Sequence, residues 1–420
     1  MTLNLKPLAL ALSSTALCGV AQAEELRMSW WGGESRHVAT QAALEACGER
    51  HGHTISPEFT GFDGHFERLA TQIAGRTEPD IMQVNWPWLP IFSPGGDRFA
   101  DLNELSDIID LSNWTDAQLE SGTMNGSLNG LPVSTTARLF VFNTAAWERA
   151  GLELPTTWDD LVAAGPVFRD QLGEDHFPFE ASALDATLIV TLYGTQMTGR
   201  PLIDAQTNEI LWSQEELAQA IEFYGTLVDN HVVPAWRDVA AAGNVPLEEN
   251  QNWTQGRLGG TYQWDSTYFK ISDPMADTEQ LVYTGIISQD GQQTEGIYRK
   301  ASMVFSISSR TEHPEAAAQI LNCLLNEEPG VAALGSTRGV PASTAGREIL
   351  MAAGAIEDIQ IEAQNRVLEG EGPAIHPFME HPDVRSAMID ALEQYAYGRI
   401  DASTAADEML IGIEDVLAGI

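Results

Sequence analysis

Lysine is nearly absent from this chain: only Lys6, Lys270 and Lys300 occur, and arginine supplies the other basic residues. Lysine and arginine together number 22 against 60 aspartates and glutamates, a formal net charge of -38 at pH 7. Such a field repels nucleic acid and anionic membrane surfaces, and no basic stripe along the sequence offsets it. The acidic residues are scattered, as on a solvated face, rather than gathered into a tail. Salt screens that self-repulsion, so the balance predicts a protein suited to a high-salt, halophilic setting.

Catalytic and nucleotide-binding signatures are missing too. There is no G-x-x-x-x-G-K-S/T, which excludes ATP binding through a P-loop, and no G-x-G-x-x-G, H-E-x-x-H, EF-hand loop or G-x-S-x-G. His51 and His53 fall short of the four ligands a structural metal site needs. No cofactor and no metal are therefore expected. Among 60 acidic residues some pair will always suit a glycosidase, so composition neither supports nor excludes that class.

Cysteine is scarce: Cys18, Cys47 and Cys323, without metal-ligand spacing. Long apolar runs are scarcer. The single one, Leu8 to Val20, follows Lys6 and precedes Ala21-Gln22-Ala23, the pattern of a secretory signal cleaved after Ala23. It is too short for a membrane span of ~20 residues. A lipoprotein signal acylated at Cys18 is the rival, but Leu17 stands where such signals carry a small residue. The mature chain is thus expected to be exported, periplasmic and not inserted in a membrane. Export permits a bond between Cys47 and Cys323, with two buried thiols as the alternative.

Strand and helix signals alternate, which predicts an α/β fold, and the length suits two domains. Leu26, Met28 and Trp30 share one face of a strand. Asp80 to Val84, Arg138 to Asn143 and Leu281 to Ile287 read as buried strands. Met303, Phe305 and Ile307 alternate with serines in a half-exposed pattern. Ser213 with Glu216, and Thr157 with Asp160, form helix-starting capping boxes. No linker separates the domains, so the chain is expected to cross between lobes more than once: at Gly130-Leu-Pro132, near Thr284 and at Gly339-Val-Pro341.

What the chain does have is tryptophan, 11 residues, many beside turn formers: Trp30-Trp31-Gly-Gly, Asn85-Trp86-Pro-Trp88, Trp236-Arg237, Asn252-Trp253 and Gln263-Trp264-Asp265. A flat indole can stack on the C–H patches of a pyranose while neighbouring Asn, Gln, Asp and Arg side chains hold its hydroxyls. Trp31 and Trp86 close strands, where ligands of open α/β sheets bind. Trp212, preceding a helix cap, is assigned to packing.

Several stretches resemble the solute-binding proteins of carbohydrate ABC importers, the maltose-binding-protein-like family. They are Phe66 to Gly75 with Glu78-Pro-Asp80; Asn129-Gly-Leu-Pro132, Phe142-Asn143, Ala150-Gly151 and Pro155 to Leu161; and Gly339-Val-Pro341. Within it, residues 30–37, 60–65 and 83–92 look like members that bind oligogalacturonides. The resemblance implies a two-lobe periplasmic-binding-protein fold (type II) with a hinge of crossing strands. The lobes would be 24–133 with 286–336, and 134–285 with 337–420, after a signal peptide over 1–23. It implies a monomer without catalytic activity that delivers an oligosaccharide to membrane permease subunits. Trp31, Trp86, Trp253 and Trp264 would stack on sugar; Asp63, Gln83, Asn85 and Asp265 would take hydroxyls. Arg36, Arg138, Arg338 and His376 would meet acidic or polar groups, a guanidinium fork matching a carboxylate. Pairing of those arginines with the chain's own acids is the plain alternative. An exported polysaccharide-degrading enzyme, or a binder of a polyol or glycerol phosphate, remains the rival function.

Overall fold

The computed structural model describes residues 24–419 apart from Ser182, Gln206 and Asn244, so the expected leader, the expected cleavage site and Cys18 lie outside the described residues. Among the described residues, eleven strands form in chain order. They are β1 (Glu25–Trp31), β2 (Thr54–Thr60), β3 (Ile81–Asn85), β4 (Thr123–Met124), β5 (Ser127–Leu128), β6 (Leu131–Pro132) and β7 (Thr135–Asn143). Then come β8 (Gly260–Trp264), β9 (Leu281–Tyr283), β10 (Arg299–Ala301) and β11 (Met303–Ile307).

The first lobe is built on the sheet β2-β1-β3-β11-β6. Strands β1, β2 and β3 run parallel; β11 is antiparallel to its neighbours β3 and β6. Helix α1 (Glu34–His51) and the helix Pro314–Asn326 pack on this sheet, joined by a disulfide between Cys47 and Cys323 whose Cα atoms stand 5.8 Å apart. The open choice between bond and thiols is thereby decided for the bond. Gly330 is required beside it, because a Cβ there would lie 2.6 Å from Cys47 Sγ. The grouping of His51, Cys323 and Glu327 offers no thiolate ligand, since that sulfur is already bonded.

In the second lobe β7 lies between β8 and β10 and also pairs with β9. Strand alternation splits its side chains: Phe140 and Phe142 join the large core with the helices, while Ala137, Leu139 and Val141 join a smaller one on the other face. The two capping boxes form as read, Thr157 with Asp160 and Ser213 with Glu216. One pattern reads differently in space. The serines alternating along β11 are not half-exposed: Ser302, Ser306 and Ser308 are all buried, because β11 is an interior strand covered on both faces.

The lobes are joined by crossing strands. β6 runs into β7 through Val133-Ser134, and β10 runs into β11 through Ser302. There Ser302 N donates to Ser134 O at 2.9 Å, the two hydroxyls meet at 2.7 Å, and Ser134 Oγ donates to Arg338 O. The stretch Gly339-Val-Pro341 touches this junction, with Ala342 N on Val133 O, but the chain does not change lobes there. Ala342 belongs to the first-lobe core, and the helix Thr344–Ala352 packs on the first-lobe helices Pro314–Asn326 and Glu328–Leu334. The second lobe resumes only with the helix Asp358–Glu369, which packs on β7, and not at residue 337. Gly339 adopts φ +92° at the junction, and a Cβ would press on Ser134 and Ser266 at 3.1 Å. The crossing expected near Thr284 thus lies instead at Ser302. Leu281–Tyr283 still pairs with β7, and Ile287, Ile297 and Tyr298 belong to second-lobe cores, so the change of lobe comes later than residue 286.

Candidate functional site

The floor of the first lobe lies at the carboxyl ends of β1 and β3. Gly32 lets the Arg36 side chain cross close over the main chain; a Cβ there would meet Arg36 Cδ at 2.5 Å. The Arg36 guanidinium then donates twice to Thr337 O, at 3.1 and 3.0 Å. Arg338 donates through Nε to Gln83 Oε1 at 2.7 Å and through Nη2 to Thr40 Oγ1 at 2.9 Å, and lies over the Phe305 ring. Gln83 completes the frame by donating to Trp31 O. Neither Arg36 nor Arg338 pairs with a carboxylate among the described residues, and Nη1 of Arg338 is buried without a hydrogen-bond partner. Burial pushes Arg36 down to about 10; burial, and then the neighbouring Arg36 charge, push Arg338 well below its ordinary value. Two cations thus sit in low dielectric without counter-charge.

The second lobe presents paired ions. Arg138 Nη1 bonds Asp185 and the carbonyl of Tyr262, and Gln263 also donates to Asp185. The plain alternative of internal pairing therefore holds for Arg138 and fails for Arg36 and Arg338. Trp264, half-buried, lies beneath two cations, with Arg138 Cζ 5.0 Å and Lys300 Nζ 4.7 Å from its ring centre. Lys300 Nζ reaches Glu380 at 2.7 Å, and Arg385 meets the same carboxylate at 2.8 Å. Burial alone would raise the Glu380 carboxyl, but Lys300 and Arg385 outweigh it and hold it below the usual range; burial lowers Lys300 to about 8.

Two walls touch across the groove. The turn Trp86–Trp88 of the first lobe abuts the turn Pro377–Glu380 of the second, and Lys270 Cγ would lie 3.9 Å from a Cβ on Gly33. Asn85 spans the first of these contacts, donating to Glu380 and accepting from Lys300, both at 3.1 Å.

Several expected ligand contacts are otherwise engaged. Trp253 is fully buried in the smaller core of the second lobe, its indole N–H on Ile271 O, and offers no face to a sugar. Asp265 is part of the hinge, accepting from Thr136 Oγ1 and Ala137 N; burial raises its carboxyl to about 6. His376 is closed at both nitrogens, Nδ1 accepting from Phe378 N and Nε2 facing Asn208 Oδ1, and burial lowers its pKa. Trp31 is walled in by Phe62, His65 and Trp88, in a nest where burial pushes His65 down to about 4. Asp63 is exposed in the loop before the helix His65–Gly75. Trp86 keeps a partly open ring, with its N–H on Ser121 O. Of the four tryptophans expected to stack, Trp86 and Trp264 retain partial access.

Sequence reasoning missed Lys300, Glu380, Arg385 and Asp185. The only signal was rarity: Lys300 is one of three lysines. Nothing local marked Glu380 among 60 acidic residues.

Residues 33–331 match the family model of the bacterial extracellular solute-binding protein. A periplasmic solute-binding protein of Pectobacterium atrosepticum overlays with a TM-score of 0.90 at 35% identity, over 95% of this chain and 99% of that one. A periplasmic oligogalacturonide-binding protein of Yersinia enterocolitica, in complex with saturated digalacturonic acid, overlays at 0.90 with 38% identity, over 94% of this chain and 99% of that one. A second structure of the Yersinia protein overlays at 0.73. A Brucella abortus binding protein is 24% identical over 255 residues, 59% of this chain, and the match spans 60% of that relative's length.

Proposed function

The chain belongs to the bacterial extracellular solute-binding protein family, and from this premise we propose that it is the sugar-binding component of an ABC-type importer. Exported to the periplasm with its leader removed after Ala23, it holds an acidic oligosaccharide of the oligogalacturonide class between its lobes. It hands that cargo to the importer's permease subunits. The observation that carries the acidic reading is the pair Arg36 and Arg338, buried at the strand ends without a carboxylate in a chain of net charge -38. A uronate would supply the missing counter-charge by charge-assisted hydrogen bonds. The likeness to the digalacturonate-bound protein points the same way. Trp86 and Trp264, whose rings stay partly open, would provide the ring surface.

A hydrolytic reading fits the site poorly. A glycosidase acid needs a raised pKa and a free carboxyl, whereas Glu380 is held low by two cations and Asp265 is tied into the hinge. Titrating intrinsic tryptophan fluorescence with di- and trigalacturonate, maltotriose and glycerol phosphate tests the proposal. Saturable change with the galacturonates alone is expected. Response to maltotriose alone would remove the acidic reading and keep the sugar; loss of polymer length in any sugar would restore the enzyme.

A further inference from the structure

Asn85 is the last residue of β3, in the first lobe, yet both ends of its amide are engaged by the second. Its Nδ2 donates to Glu380 Oε2 at 3.1 Å and its Oδ1 accepts from Lys300 Nζ at 3.1 Å. The orientation is self-consistent: reversing the amide would set N–H groups against the ammonium and an oxygen against the carboxylate. Glu380 is in turn held by Lys300 at 2.7 Å and Arg385 at 2.8 Å. Asn85, Lys300 and Glu380 are each less than a tenth exposed, so the cluster is sealed from water when the lobes meet. The same contact joins the turns Trp86–Trp88 and Pro377–Glu380.

We propose that Asn85, Glu380 and Lys300 form an inter-lobe latch, in which Glu380 acts as a positioning residue that draws the lobes together independently of the sugar. Lys300, Arg385 and Glu380 all come from the second-lobe side, so their ion pairing persists when the lobes part. Only the two bonds to Asn85 are made on closing, and each has a charged partner, which makes them strong for their number. The latch thus biases the open–closed equilibrium and sets how fast cargo leaves. The arrangement shown here matches the digalacturonate complex of the Yersinia protein more closely than that protein's second structure, 0.90 against 0.73 in TM-score. The latch rests on the two-lobe closure of the proposed function but not on the identity of the sugar.

The test is small-angle X-ray scattering of the ligand-free protein and of Asn85→Ala, Glu380→Gln and the double variant, with stopped-flow galacturonate release measured in parallel. Each single variant is expected to enlarge the ligand-free radius of gyration and to speed release, Asn85→Ala, which loses both bonds, by roughly ten-fold and Glu380→Gln by less, with the double variant doing no more than Asn85→Ala alone. A residue that merely touches sugar would slow or speed release without changing the ligand-free scattering. Unchanged ligand-free scattering in both single variants overturns the latch, as does a double variant whose effects add. If no sugar binds the wild type, the functional proposal falls while the scattering still decides the latch. Asn85→Ala, which removes no charge, guards against misfolding in Glu380→Gln.

Discussion

Replacing Arg338 by methionine should move stability and affinity in opposite directions. The guanidinium is buried over the Phe305 ring, and the hydrogen bonds it makes go to the neutral acceptors Gln83 and Thr40. Burying a cation without a carboxylate costs several kcal/mol after relaxation, whereas the two neutral-acceptor bonds contribute about 1 kcal/mol each. Methionine keeps the stem packed on Phe305 and removes the charge, so the folded protein should gain about 1 kcal/mol or more. Binding should suffer. A charge-assisted bond to a carboxylate contributes about 1.5–3 kcal/mol, equivalent to roughly a 10- to 150-fold loss of galacturonate affinity. Arg338→Lys keeps the charge but not the fork, and should fall between. Differential scanning fluorimetry and isothermal titration calorimetry read both quantities on the same sample. A methionine variant that melts several degrees lower and keeps full galacturonate affinity would show Arg338 to be a structural clamp, and the carboxylate reasoning would fail.

Reducing the Cys47–Cys323 bond opens a loop of 276 residues in sequence; the chain-entropy relation puts the loss at about 5–6 kcal/mol, an upper figure given typical values of about 2–4. A Cys47→Ala, Cys323→Ala protein should therefore melt about 2–7 °C lower, and an unchanged melt would remove that constraint from the account. Burial raises the Asp265 carboxyl from its ordinary 3.8 to about 6, so between these two values the folded state binds the extra proton. Stability should then fall as pH rises through that window, by at most about 3 kcal/mol. Asp265→Asn should flatten this slope in denaturant titrations at pH 4 to 6.5; an identical slope in wild type and variant would refute the assignment. With a net charge of -38, the melting temperature should rise from low to molar sodium chloride. A melt that is flat with salt would count against a halophilic surface.

The elements were legible because their signals are local. Capping boxes at Thr157 and Ser213, the strand alternation of Leu26, Met28 and Trp30, and the glycine of Gly339-Val-Pro341 each need only a few neighbours to be read. The site was legible only in part, because its properties depend on what lies opposite. Trp253 and Trp264 stand in similar polar, turn-forming settings. One ring turns inward from the short helix Gln251–Thr254, and the other ends β8 facing the crossing strand β10. Arg138 and Arg338 look alike in sequence, yet Asp185 pairs with the first and, among the described residues, no carboxylate pairs with the second. The hinge was misplaced near Thr284 because Leu281–Tyr283 reads as a strand but not as the third partner of β7.

The proposed capture of an anionic sugar by an anionic protein looks self-defeating until range is considered. The scattered surface carboxylates act through water, where at physiological salt a charge is screened over about 8 Å. They slow the approach of a uronide, and added salt relieves that penalty. Arg36 and Arg338, both buried, would act at contact in the proposed binding, where screening hardly reaches. Their own depressed pKa values record the cost: burial without a partner is what lowers them. That cost is present before any ligand arrives and is offset when a carboxylate enters, so the gain is reserved for an acidic cargo. A neutral sugar would meet the same hydroxyl-binding groups and leave both cations unpaired. Two arginines left unneutralised in a chain with acid to spare are thus the physical basis of the proposed preference for a uronide.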